Sequence, residues 1–192
     1  MSIILTLICH ASTHAVREAA FPSDEPIDPQ GHAKASALAG KLRRVDATLT
    51  SPALRAVQTA AALQLDATAD PALRDIDLGR WAGRSFADVR QAEPDGIAEW
   101  TGKSDAAPHG GESVNALLER VARWLDALKQ HDGRIVAVTH SAVIRAAIVL
   151  AIEATPASFW RIDIAPLSIT RLSGANSRWN LDSAGCAISG GR

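Results

Sequence analysis

The chain has 192 residues, 47% of them hydrophobic and 21% charged. That balance belongs to a globular domain able to bury its own core and excludes a disordered or fibrous chain. Twenty basic and 21 acidic residues leave a formal charge of −1, so nothing at whole-chain level attracts nucleic acid or an anionic membrane, and any anion site must be local.

The stretch from Met1 to Ala11 has no basic residue ahead of a short apolar run. It therefore reads as a buried strand, Ile3 to Cys9, rather than a secretory signal. Pro29 to Arg44 carries Ala35, Leu38, Ala39 and Leu42 at helical spacing. Ala47 to Thr50 reads as a short strand and Pro52 to Leu65 as a second helix. Pro71 to His109 is punctuated by Gly79, Gly83, Pro94, Gly96, Gly102 and Pro108 and is expected to be irregular, with 84–112 an excursion over the site. Ser113 to His131 is an amphipathic helix with Val114, Leu117, Leu118, Val121, Trp124, Leu125 and Leu128 on its apolar side. Arg134 to Thr139 is a buried strand that leads at once into a helix through Val143, Ile144, Ala147, Ile148 and Ala151. Pro166 to Leu172 and Ser177 to Leu181 read as closing strands. This alternation predicts a single three-layer α/β/α domain over residues 1–192 with a mostly parallel sheet. No window approaches the ~18 uninterrupted apolar residues of a membrane span. Cys9 and Cys186 lie near opposite ends with no metal-type spacing, which favours a reducing, cytoplasmic setting.

In such sheets ligands bind beyond the carboxyl ends of the strands. Two predicted strands end in histidine, His10 and His140, and a third, at Thr50-Ser51-Pro52, leads into a helix whose first turn carries Arg55. Two histidines and an arginine at three strand ends point to one convergent polar site. His10 and His14 have the i, i+4 spacing of a helical metal pair, but they follow a strand and have no third ligand nearby, so no metal is expected. The tryptophans at 81, 100, 124, 160 and 179 are dispersed without basic interleaving, as core or pocket walls rather than a stacking platform.

These residues fall in motifs that resemble the histidine phosphatase superfamily, the phosphoglycerate mutase-like fold. Ser51-Pro52-Ala53-Leu54-Arg55-Ala56-Val57-Gln58-Thr59-Ala60 is similar to its S-P-x-x-R-A-x-Q-T-A, and Val138-Thr139-His140-Ser141-Ala142-Val143-Ile144-Arg145 to its V-S-H-G-G-V-I-R. Leu73-Arg74-Asp75-Ile76-Asp77-Leu78-Gly79-Arg80-Trp81-Ala82-Gly83 resembles L-R-E-x-x-x-G-x-W-E-G, and Gly110-Gly111-Glu112-Ser113 reproduces G-G-E-S. The first-strand motif departs from the family: R-H-G is here Cys9-His10-Ala11. The nucleophile position is kept as His10, but the arginine that grips the phosphoryl group is a cysteine. Asp75 stands at the general-acid glutamate, and Ser141 replaces a glycine.

The resemblance implies a metal-independent phosphomonoesterase of the family's small-molecule branch, with no cofactor. It would act on a small phosphorylated metabolite through a phosphohistidine at His10. Arg55 and His140 would hold the phosphoryl oxygens. Ser12, Thr13, Ser141 and helix N-termini would help, and Arg17 is a candidate substitute for the missing arginine. Asp75 would serve as acid and base, with Asp77 and Glu112 as stand-ins. Losing a bidentate arginine removes charge-assisted hydrogen bonds of roughly 1.5–3 kcal/mol, a weakening rather than an abolition. Cys9 as nucleophile is disfavoured because position 15 is Ala, which breaks the C-x5-R signature of cysteine phosphatases. The alternative is a catalytically weak or inactive member that binds a phosphorylated ligand or protein. Trp160 and the apolar stretch from Phe159 to Leu172 either pair across a homodimer or pack inside.

Overall fold

The computed structural model describes residues 3–42, 45–175 and 178–188; Met1, Arg44 and Ser177, which bound predicted segments, lie outside the described residues. In chain order the elements are β1 (Ile3–Cys9), α1 (His14–Arg17), α2 (Pro29–Ser36), β2 (Ala47–Thr50), α3 (Leu54–Ala62), β3 (Thr68–Ala69), α4 (Phe86–Ala92), α5 (Pro94–Gly102), α6 (Val114–Leu128), β4 (Gly133–Thr139), α7 (Ser141–Ala151), β5 (Ser168–Ala175) and β6 (Arg178–Ala187). Short 3-10 turns add Pro71–Leu73, Gly79–Trp81 and Pro156–Arg161.

The strands form one six-stranded sheet in the order β3-β2-β4-β1-β5-β6. The first four strands in chain order run parallel, and β5 and β6 close the sheet antiparallel. Alternation along β1 divides the core. Leu5, Leu7 and Cys9 face α6 and α7, packing with Leu117, Val121, Trp124, Val143 and Ile144. Ile8 faces the other way, toward Ala35 of α2 and Ala56 and Ala60 of α3. β4 divides likewise, Ile135 and Ala137 to one layer and Val136 and Val138 to the other. Both central strands are thus buried on both faces, which explains their unbroken apolar runs. Among the described residues no helix is long and apolar enough to cross a membrane.

The expected elements are present with shifted ends. α2 stops at Ser36, and the chain then turns through Gly40, whose φ of +71° only glycine adopts without strain. α3 starts at Leu54 rather than Pro52, because the chain bends at Pro52, Ala53 has extended dihedrals and the Ser51 hydroxyl accepts from the Ala53 N–H at 3.2 Å. The segment expected to be irregular contains α4 and α5. Ser85 caps α4 by accepting from the Asp88 N–H, and Pro94 opens α5 at its first turn, where a missing N–H costs nothing. α6 carries the predicted apolar stripe and one unexpected buried cation, Arg120.

Candidate active site

Sheet register brings the strand ends together. Cys9 pairs with Thr139 across β1 and β4, and Thr50 pairs with Val138 across β2 and β4. The next residues, His10, His140 and Ser51, therefore emerge side by side at the carboxyl ends of three adjacent parallel strands. The His10 N–H donates to the Thr139 carbonyl at 2.9 Å, and the Ala11 N–H donates to Thr59 Oγ1 at 2.9 Å. These bonds hold the turn after β1 against both neighbouring elements.

His10 Nδ1 lies 2.8 Å from its neighbour's carbonyl, Ala11 O. A carbonyl can only accept, so Nδ1 carries the proton and Nε2 keeps its lone pair. The His10 and His140 ring centroids are 5.2 Å apart. His140 Nε2 meets the Ser51 hydroxyl at 2.8 Å, and its Nδ1 lies 3.3 Å from Asp75 Oδ2, off hydrogen-bond geometry. Arg55 donates from Nη2 to Asp75 Oδ2 at 2.7 Å and from Nη1 to the Ser23 carbonyl at 2.6 Å. Its buried Nε has no hydrogen-bond partner among the described residues. A donor withdrawn from water without an acceptor is costly unless an anion completes it. The four predicted catalytic side chains, His10, Arg55, Asp75 and His140, thus form one connected cluster.

Burial sets their charge. His10 is only 6% exposed, and desolvation holds its imidazole below the ordinary histidine range despite the Ala11 hydrogen bond. Desolvation pushes His140 down to about 3 against the pull of Asp75, with Arg55 and His10 adding to the depression. Burial alone would raise the Asp75 carboxyl, but His140, Arg55 and His10 together outweigh it and keep the carboxylate below its usual range. The unliganded site therefore holds two neutral imidazoles beside an arginine–aspartate ion pair. The Cys9 thiol is pushed up to about 12, first by burial and then by Asp75, and so stays protonated. A buried thiol of that kind is not a nucleophile.

Other expected contacts are arranged differently. Arg17 does not reach the cluster: its side chain is 56% exposed and pairs loosely with Asp28 at 3.8 Å. The Ser12 hydroxyl donates to Asp28 Oδ1 at 3.1 Å, part of the cap of α2, and Thr13 Oγ1 caps α1 by accepting from the Val16 N–H at 3.2 Å. Ser141 opens α7, and its backbone N–H faces the Cys9 thiol. Asp77 is exposed and its Oδ1 accepts from the Gly79 N–H, and Glu112 binds Arg120 through both oxygens, which commits that carboxylate to the arginine. Ser51 and Thr59 hold His140 and the His10 turn. Both sit in a quoted motif, but their partners lie far away in sequence, so only the register reveals the contacts.

The shifted histidines give stability a pH dependence with a definite sign. The unfolded chain takes up protons at the ordinary histidine value of 6.5, while folded His140 resists until about 3. Stability is therefore present above pH 6.5 and lost as pH falls below it. Keeping His140 neutral should cost about 2 kcal/mol between pH 6.5 and pH 5. Asp75, lowered from 3.8, extends the loss in the same direction at more acid pH. Urea unfolding at pH 5, 6 and 7 checks this: His140→Gln should make stability fall less steeply between pH 7 and pH 5, and an unchanged slope would show that His140 is not held neutral.

The sequence profile of the histidine phosphatase superfamily (branch 1) matches residues 5–187. The bifunctional protein Rv2228c of Mycobacterium tuberculosis is 30% identical over 188 residues, covering 90% of this chain and 52% of that protein. The chain thus spans about half the length of the mycobacterial relatives it matches. The structure of mycobacterial glucosyl-3-phosphoglycerate phosphatase Rv2419c with VO3 superposes with a TM-score of 0.86 at 26% identity, covering 96% of this chain and 99% of that one. The α-ribazole phosphatase of Shigella flexneri superposes with a TM-score of 0.85 at 25% identity, covering 97% and 98%. With the profile matched from β1 to the end of β6 and the histidine cluster at the strand ends, the chain belongs to the histidine phosphatase superfamily.

Proposed function

We propose that the chain is a metal-independent phosphomonoesterase that passes the phosphoryl group of a small ester first to His10 and then to water. The observation that carries this reading is the state of His10: Nδ1–H is committed to the Ala11 carbonyl, burial keeps the ring neutral, and the Nε2 lone pair remains for attack. In the first step Nε2 forms a bond to phosphorus as the ester P–O bond breaks, and Asp75 delivers a proton to the departing alkoxide. In the second step the Asp75 carboxylate takes a proton from water, the oxygen attacks phosphorus, and the P–N bond breaks to restore His10. Arg55, His140 and the amide end of α7 surround the oxygens where charge accumulates.

Asp75 is anionic in the unliganded site and must gain a proton before it can act as an acid. An incoming phosphate dianion supplies the cause: it competes for Arg55 and repels the carboxylate, raising its pKa. The same repulsion favours protonation of His140, which then donates to the phosphoryl group.

Relatives are named for phosphatases of phosphoserine, glucosyl-3-phosphoglycerate and α-ribazole phosphate. Those esters, with 4-nitrophenyl phosphate, form the panel for steady-state assay with and without EDTA. The expected result is turnover of at least one ester, unchanged within about twofold by chelator, since no step uses a metal as Lewis acid. Turnover abolished by EDTA and restored by a divalent cation would overturn the mechanism. The replacement of the family's arginine by Cys9 favours one second reading, a member that binds phosphorylated ligands without turning them over. No hydrolysis from folded protein, with inorganic phosphate still raising its Tm, would select it.

A further inference from the structure

Asp75 stands on a loop, yet the backbone of that loop is fastened carbonyl by carbonyl. Arg120 donates from Nη1 to the Ala72 carbonyl at 2.8 Å and to the Arg74 carbonyl at 3.0 Å, and from Nη2 to the Asp75 carbonyl at 3.3 Å. The remaining carbonyl of the run, Leu73 O, accepts from Thr139 Oγ1 at 2.8 Å. Thr139 is the residue before His140, so this bond ties the Asp75 loop to the strand that presents the second histidine.

Arg120 is itself oriented. Glu112 takes its Nε at 2.9 Å and its Nη2 at 2.7 Å, a two-point pair with 7% and 8% side-chain exposure. Glu112 is docked in turn, because its N–H donates to the Asp77 carbonyl at 2.7 Å. Glycine makes that docking possible: a Cβ at Gly111 would lie 2.1 Å from Asp77 O, and one at Gly79 would lie 2.2 Å from His109 O. Two motifs separated by about thirty positions thus lock together around the loop that carries Asp75.

A buried ion pair on the apolar side of α6 is a poor way to stabilise a fold, since well-packed apolar residues of similar volume do at least as well. It is a good way to hold a backbone at a fixed height. Asp75 needs that more than a glutamate would, because its shorter side chain cannot compensate for a displaced backbone. Its Oδ1 also accepts from the Ile76 N–H at 2.9 Å, so carboxylate and loop move together.

We propose that Arg120, oriented by Glu112 and assisted by Thr139, is a positioning residue that sets the reach of Asp75 toward the leaving group. This rests on the reading of Asp75 as proton donor. The readout is leaving-group dependence. A 4-nitrophenolate departs with little need of a proton, whereas an alkoxide cannot leave without one. Displacing Asp75 by about 1 Å costs on the order of 10²-fold where its proton is needed.

The variants are Arg120→Lys, Glu112→Gln and the near-isosteric Thr139→Val, with Asp75→Asn as reference. Each is assayed on 4-nitrophenyl phosphate and on the best alkyl ester of the panel. For Arg120→Lys the expected result is a fall in kcat/KM, which reports phosphoryl transfer to His10 and not the later attack by water, of about 10²-fold on the alkyl ester and under about fivefold on the aryl ester. Thr139→Val should show the same selectivity at about tenfold and keeps the test open if Arg120→Lys fails to fold. Equal losses on both esters in these variants, while Asp75→Asn still discriminates, would overturn the positioning role alone. If Asp75→Asn itself fails to discriminate, the proton-donor reading falls and this inference falls with it.

Discussion

His10→Ala is expected to lower turnover of every hydrolysed ester by on the order of 10⁴-fold or more, while leaving the protein folded. The His10 imidazole keeps its Nε2 lone pair because Nδ1–H is held by the Ala11 carbonyl, whereas His140 Nε2 meets Ser51 and Asp75 is held by Arg55. The adjacent Cys9 thiol does not compete as nucleophile, since it is protonated and packed into the core. Without Nε2 the reaction requires direct attack by water, for which the site has no pre-placed base ahead of the phosphorus. Rapid quenching of wild type with labelled ester should trap an acid-labile, base-stable phosphoprotein that is absent from the variant. A residual rate above about a tenth of wild type in purified His10→Ala would place the nucleophile elsewhere. Because His10 is buried in neutral form, the variant should also be relatively more stable at pH 5, with Tm falling less steeply than in wild type.

How much of this site the sequence discloses depends on the distance over which each contact acts. The strands β1 and β4 are legible because burial on both faces requires an unbroken apolar run, and the histidines that end them are conspicuous for the same reason. Element ends are less legible. Pro29 to Arg44 looks helical by spacing, but α2 has a weak apolar face and yields to a turn at Gly40. The helices α4 and α5 carried their own signals, the Ser85 cap with Asp88 three residues on and Pro94 at a first turn. The density of glycine and proline between Pro71 and His109 obscures them. Arg17 illustrates the opposite error. Proximity to His10 in sequence suggests a phosphate ligand, but the side chain is more than half exposed and pairs loosely with Asp28 at the start of α2. Arg120 was invisible because a charged residue among Leu117, Val121 and Trp124 reads as the polar side of a helix. Its acceptors are carbonyls, which no side-chain pattern records.

Arg55→Lys is expected to reduce kcat/KM by about 10²- to 10⁴-fold and to weaken competitive inhibition by inorganic phosphate in parallel. The guanidinium reaches in several directions at once: Nη1 to Ser23 O, Nη2 to Asp75, and a buried Nε without a partner among the described residues. An ammonium keeps the charge but loses the planar fork, and with it two or so charge-assisted hydrogen bonds of about 1.5–3 kcal/mol each. In most settings neighbouring cations would soften the loss, but here they are committed elsewhere. Arg145 donates from Nε to Ile162 O at 2.6 Å, and Arg120 is held by Glu112 and the loop carbonyls. Cys9, standing where a further arginine would be, supplies a neutral thiol. Lysine is the informative substitution, because alanine would strand the Asp75 carboxylate and cost several kcal/mol of stability, confusing binding with unfolding. Comparing Tm, KM and the phosphate inhibition constant of Arg55→Lys with wild type separates the two. A variant that keeps its affinity for phosphate within about threefold would show that the oxygens are held by His140 and the α7 amides instead.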